Sequence, residues 1–135
     1  FDQNTMSLSL LRATIRPDVT SDMGHHNFSY MIYPHENGAV EAGVNKLAFQ
    51  FNEQLVKSDV SYNGDTFEPL YLQAMKDSED GSMTVIRLSE QDGKRGKIKL
   101  SKSVKLLDML ENVIGEAVDT LEYKPFEIIT IGIQK

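Results

Sequence analysis

Short runs with a two-residue period dominate this sequence, and that period belongs to the β-strand, whose successive side chains point to opposite faces. Thr84, Ile86 and Leu88 stand against Met83, Val85 and Arg87, and Leu70, Leu72 and Ala74 against Tyr71, Gln73 and Met75. Phe28, Tyr30 and Ile32 share one face while Ser29, Met31 and Tyr33 share the other, so both faces of that run are expected to be at least partly covered. Met6–Leu11 alternates and ends in an apolar pair. Phe126–Ile133 contains Ile128, Ile129, Thr130, Ile131 and Ile133, the β-branched content of a buried strand.

Turn residues separate these runs at Asn37-Gly38, Asn63-Gly64-Asp65, Asp80-Gly81 and Asp92-Gly93. The last two bracket one strand and predict consecutive hairpins. One stretch departs from the period. Val40, Val44, Leu47, Ala48 and Phe51 have helical spacing, with Asn37-Gly38 placed to start a helix and Asn52 to help end it. Residues 104–110 fit either a helix or a strand. The reading is a mainly β, antiparallel sandwich in a single domain, 1–135, with one inserted helix near residues 39–51.

Composition narrows the function. The absence of cysteine excludes a disulfide scaffold, a cysteine-ligated zinc finger and a thiol nucleophile, and fits a reducing compartment. No apolar run is long enough to span a membrane, and no signal peptide is recognisable. A net charge of −6 argues against a general nucleic-acid binder. Lys94, Arg95, Lys97, Lys99, Lys102 and Lys105 form a basic block without acids. In Lys97-Ile98-Lys99-Leu100 the lysines fall on one strand face, read as a solvated or edge-protecting face, with a polyanion site as the alternative. The chain opens on Phe1, which leads to the expectation that it is part of a larger polypeptide.

Candidate chemistry is sparse. His25, His26 and His35, with Asp18 and Asp22, are the right residue types for zinc. Their spacing is poor, because a strand over Phe28–Tyr33 sends His25 and His35 beyond its opposite ends. A hydrogen-bonded loop after Pro17 is the simpler reading. Glu127, between Phe126 and Ile128, is expected to pair with an arginine, and Arg87, within an apolar strand, to need a carboxylate. No phosphate-binding glycine loop, nucleophile elbow or His-Glu-x-x-His motif is present.

Several segments, taken in order, resemble glycoside hydrolase family 38 α-mannosidases of bacterial type. They are Ser7-Leu8-Ser9-Leu10-Leu11-Arg12, Pro17-Asp18, Asp22-x-Gly24-x-His26-x-Phe28-x-Tyr30 and Pro34-His35. Ala48-x-x-x-Asn52 with Leu55, Ala74-Met75-Lys76, Glu79-Asp80-Gly81 and Val85-Ile86-Arg87-Leu88 follow. Leu110-Glu111-Asn112 and Pro125-Phe126-Glu127-Ile128-x-Thr130 close the series. The resemblance is to the family's C-terminal region, which implies a portion of a galactose-mutarotase-like supersandwich. It also implies a parent enzyme that hydrolyses terminal α-mannosides with retention, using zinc and an aspartate nucleophile in parts of the polypeptide that this chain does not match. The three histidines therefore do not correspond to the family's zinc ligands.

On this resemblance the chain is a non-catalytic module whose partner is the catalytic domain of its own parent chain. It has no cofactor of its own, serves cytoplasmic mannose metabolism, and self-associates if missing strands leave an apolar face open. Arg12, and more weakly His26, are the residues expected near the parent's substrate; the alternative for Arg12 is a pair with Asp18 or Asp22. Two other functions compete. A free-standing carbohydrate-binding module would use solvent-facing tyrosines, and a small metal-dependent hydrolase would use Asp18, Asp22, His25 and His35.

Overall fold

The computed structural model describes residues 5–53, 60, 62 and 64–135. Leu55 and Asn63, named in the motifs above, lie outside the described residues. The chain divides into two compact units, Phe1–Pro34 and His35–Lys135.

In the first unit the described residues form extended segments and turns. Thr5 makes an isolated bridge, and residues 6–11 and 28–33 carry no strand pairing, contrary to their alternating sequences. Nor is either face of residues 28–33 covered: Tyr30 and Ile32 are 67% and 68% exposed on one, Met31 and Tyr33 44% and 45% on the other. A two-faced strand needs a neighbouring layer on each side, and two extended segments cannot supply one. Met6, Leu8 and Leu10 instead line an open cleft with Tyr30, Met31 and Ile32.

The second unit contains, among the described residues, one helix and five strands. They are α1 (Val44–Asn52), β1 (Tyr71–Asp77), β2 (Met83–Ser89), β3 (Gly96–Leu107), β4 (Val118–Tyr123) and β5 (Ile128–Gln134). All the pairings are antiparallel, in the order β1-β2-β5-β3-β4. The mainly antiparallel β expectation holds.

β5 is the middle strand. Its isoleucines pair with β2 over seven positions, from Met83↔Gln134 to Ser89↔Ile128, and with the end of β3 from Lys105↔Gly132 to Leu107↔Thr130. The first half of β3 pairs with β4 instead, and the register shifts between Lys99 and Val104. That irregularity lets one long strand serve two neighbours. The core gathers Ile86 and Leu88 of β2, Leu100 and Val104 of β3, Leu121 and Tyr123 of β4 and Ile131 of β5. Leu70 completes it, with Tyr62 and Phe67 packed alongside. Met83, Val85 and Leu107 form a smaller cluster, as the alternation of β2 requires.

Of three local expectations, one holds and two are corrected. Asp80-Gly81 does turn β1 into β2, with the Asp80 carboxylate accepting from Ser78 Oγ and from the Ser82 backbone N–H and hydroxyl. Asp92-Gly93 does not make a second hairpin, because β2 pairs with β5 and the chain crosses over to β3. In β1, Leu72 stands opposite Leu88 and Met75 opposite Ile86, with Gln73 as an inserted bulge. Leu72 and Met75 therefore share a face that strict alternation denies them.

The helix begins at Val44 after Gly43 (φ 68°), later than Asn37-Gly38 suggested. Asn52 does help end it, donating Nδ2–H to the Ala48 carbonyl at 2.8 Å. Ala48 and Phe51 are exposed, and Phe49 turns inward onto Tyr71, with ring centroids 5.4 Å apart. The ambiguous residues 104–110 resolve as the end of a strand, at Leu107, and a turn.

Candidate functional site

The first unit carries Arg12, His25 and His26. Its loop is ordered by Asp18, whose Oδ1 accepts from the Thr20 backbone N–H at 2.8 Å and the Thr20 hydroxyl at 2.7 Å. These two bonds, the backbone one foremost, hold the Asp18 carboxyl below its ordinary range. The His26 Nε2 lies 3.1 Å from the Asp22 carbonyl oxygen, and its ring stacks on Phe28 with centroids 6.1 Å apart. Arg12 sits on exposed backbone just before Ala13 (φ 50°) and, among the described residues, has no carboxylate within ion-pair distance. The loop needs no Arg12–Asp18 pair, since Asp18 is taken by Thr20.

His35 opens the second unit, its Nδ1 3.4 Å from the Glu36 carbonyl oxygen. Among the described residues, no three His, Cys, Asp or Glu side chains gather to hold a metal ion. Asp18, Asp22 and His25, all in the first unit, are accordingly not drawn together into such a group.

The second unit holds two carboxylate hubs that sequence reasoning missed. The first is Glu90, 4% exposed at the end of β2. It accepts backbone N–H bonds from Asp92 and Gly93 at 2.9 Å, Lys94 at 3.0 Å and Phe126 at 2.9 Å. Burial pushes its carboxyl up, but the four N–H dipoles outweigh burial and leave it below the ordinary glutamate value. Glu90 thereby ties the β2–β3 crossover to the β4–β5 turn. A signal was present, an acid following an apolar strand directly and preceding Asp-Gly, but its fourth donor is remote in sequence.

The second hub is Glu111. Its Oε1 lies 2.8 Å from Lys76 Nζ and 4.0 Å from an Arg87 terminal nitrogen. Arg87 also donates Nε–H to Thr130 Oγ1 at 3.3 Å. The carboxylate expected near Arg87 is thus present, but it comes from the turn after β3. Among the described residues Glu127 pairs with no arginine; its Oε2 accepts the Lys124 backbone N–H at 2.8 Å.

Lys97 and Lys99 lie outward as the alternation predicts, while Lys105, beyond the register shift in β3, is half-buried. Lys97 pairs with Glu122, and Lys99 with Asp119 at 2.6 Å. These partners on β4 make the block a solvated face with cross-strand ion pairs.

A groove of about 400 Å³ runs between α1 and β1, lined by Lys46, Phe49, Glu68, Tyr71, Leu72 and Asp92. Asn45 donates Nδ2–H to the Gln91 carbonyl and to Asp92 Oδ1, fixing the helix to the crossover. Burial, then the neighbouring Asp92 carboxylate, pushes the Tyr71 phenol above its ordinary value. The groove can offer a ring edge, a cation and carboxylates to a small polar ligand, but it presents no nucleophile–base pair.

Comparison with known proteins gives a consistent answer. Residues 69–131 match the glycosyl hydrolases family 38 C-terminal beta sandwich domain. That span takes in β1 to β4 and most of β5. Over 150 aligned positions the chain is 30% identical to Alpha-mannosidase G of Dictyostelium discoideum, covering 93% of this chain and 14% of that protein. It is 31% identical to the Alpha-mannosidase of Saccharomyces cerevisiae, covering 94% of this chain and 13% of that protein. Alpha-mannosidase 2C1 of Mus musculus is 49% identical over 53 residues, 39% of this chain and 5% of that protein. The chain thus spans about a seventh of the length of the first two relatives. No solved structure matches it. With β1 to β4 and most of β5 inside the matched span, residues 69–131 belong to the C-terminal beta sandwich domain of glycosyl hydrolases family 38, and α-mannosidase relatives align along nearly all of the chain.

Proposed function

We propose that this chain is the non-catalytic C-terminal module of a zinc-dependent, retaining α-mannosidase, and that it supports the catalytic part of its own polypeptide. The observation that carries the reading is the exposure of the apolar residues of the first unit. Leu8, Leu10, Leu11, Phe28, Tyr30 and Ile32 are between 45% and 68% exposed, and no described residue of that unit is buried. Apolar surface on that scale marks a protein interface, and relatives in which the matching segment is 13–14% of the length have further chain to cover it.

In this reading the zinc ion and the aspartate nucleophile belong to the remainder of the polypeptide, which acts in the cytoplasm on terminal α-mannosides. Arg12 and His26 stand near the substrate. The Arg12 guanidinium presents a fixed fork of donors to sugar hydroxyls or to a catalytic acid, and the His26 ring is held against Asp22 and Phe28. The test compares the isolated chain with the full polypeptide. Turnover of an aryl α-mannoside and stoichiometric zinc are expected only in the full polypeptide. Arg12→Ala there is expected to lower kcat/KM by about ten-fold or more, the scale of one lost charged hydrogen bond, without moving the Tm. Turnover by the isolated chain would overturn the reading.

A second reading, a free-standing carbohydrate-binding module, draws on the α1–β1 groove, where Tyr71 and Phe49 meet Asp92, Glu68 and Lys46. Saturable binding of methyl α-mannoside to the isolated chain, abolished by Tyr71→Ala, would favour it.

A further inference from the structure

The turn after β3 combines two properties that turns rarely share. It is rigidly built, and its tip is apolar. The Asp108 N–H donates to the Asn112 carbonyl at 2.9 Å, and the Glu111 N–H to the Asp108 carbonyl at 3.1 Å. The Asp108 carboxylate accepts the Leu110 and Asn112 N–H groups at 2.8 and 2.9 Å and the Asn112 side-chain amide at 3.0 Å. Glu111 follows in the left-handed region (φ 68°), a conformation that favours glycine, and its carboxylate is held by Lys76 and Arg87. Between these anchors, at the two central positions, stand Met109, 61% exposed, and Leu110, 83% exposed. β3 ends level with Thr130, two residues from Ile128, which is 54% exposed. Solvated turns usually carry polar or small residues at their tips, so a large apolar pair on so fixed a frame needs an occupant.

We propose that Met109 and Leu110 form a preorganised knob that seats in an apolar pocket on the catalytic part of the same polypeptide; this rests on the module reading and names a contact in the second unit that would make it. Two observations favour that occupant over a second copy. A chain of net charge −6 repels its own copies, and the relatives carry most of their length outside the matching segment, where it is available in cis. A turn already fixed by its own hydrogen bonds loses little conformational freedom on docking.

Methionine oxidation reads the contact without reference to activity. The isolated chain and the full polypeptide are each exposed to hydrogen peroxide, and sulfoxide formation at Met6, Met23, Met31 and Met109 is followed by mass spectrometry. Met109 is expected to oxidise about ten-fold more slowly in the full polypeptide, since the rate follows exposure. Leu110→Ser, on an exposed tip, should lower the Tm of the full polypeptide and leave that of the isolated chain unchanged. Equal Met109 rates in both forms, with Met6, Met23 and Met31 protected in the full polypeptide, would overturn the knob and leave the module reading standing. Equal rates at all four methionines would overturn both. Protection of Met109 that appears in the isolated chain as its concentration rises would assign the knob to a second copy and overturn the proposed occupant.

Discussion

Glu111 Oε1 lies 2.8 Å from Lys76 Nζ, so the turn after β3 is fastened to the edge strand β1 at the far side of the sheet. The Lys76 side chain is 57% exposed, which keeps the pair weak. Glu111→Gln is expected to cost about 1 kcal/mol or less in urea denaturation. Glu111→Gly loses the same pairs but relieves the left-handed backbone, a gain of up to about 1 kcal/mol. It is therefore expected to be at least as stable as the glutamine variant. A glycine variant clearly less stable than the glutamine one would show that the entropy glycine adds to the unfolded chain outweighs any strain relieved at φ 68°.

Glu90 is a different case, because nothing can replace its four N–H bonds from solvent. Glu90→Gln puts an amide donor among backbone donors, and is expected to destabilise the domain by about 3 kcal/mol, the scale of a buried network broken at one partner. Amide hydrogen exchange should accelerate at Asp92, Gly93, Lys94 and Phe126 together. Acceleration confined to residues 92–94 would mean that the tie to Phe126 carries no load.

The pH dependence has a definite sign. Hydrogen bonds from Ser78 foremost, and from Ser82, lower Asp80 from 3.8 to about 2. Glu90 and Asp108 are also lowered, Asp108 chiefly by the Asn112 side chain. A carboxyl depressed in the folded state binds fewer protons there than in the unfolded chain, so it contributes stability above the unfolded value and loses it as pH falls. Urea midpoints should stay level down to about pH 5 and then fall through the window from 3.8 to about 2. Asp80→Asn should flatten part of that fall. A midpoint that rises on acidification would contradict the hydrogen-bonded turn.

Gly132 lies in the middle strand where a side chain has no room. A Cβ there would stand 2.9 Å from Met83 Sδ and 3.2 Å from Leu107 Cδ1. Gly132→Ala is expected to cost about 1–3 kcal/mol through overpacking. Met83→Ala in the same chain should recover part of it, because the nearest obstacle is the end of a flexible side chain. Calorimetry on the single and double variants measures that coupling.

The strands were legible wherever alternation and β-branching ran together, as in Met83–Ser89 and Ile128–Gln134, because a two-residue period is imposed by the backbone itself. The helix was legible to within a few residues, but its inward ring was not. Phe49 meets Tyr71 across a groove, a choice made by β1 rather than by the helix's own spacing. The same holds of the Gln73 bulge, which changes the facing of Met75 through pairing with β2.

Of the candidate site, the Asp18 loop could be read locally because its partner Thr20 is two residues away. The two hubs could not, since Glu90 takes a donor from Phe126 and Glu111 binds cations on β1 and β2. The sequence by itself determined the class of fold, the family and the outward basic face, all of which rest on local periodicity and ordered motifs. Tertiary structure alone decided which strands are neighbours and which acid meets Arg87. Each of these depends on contacts between residues distant in the chain, which no local period encodes.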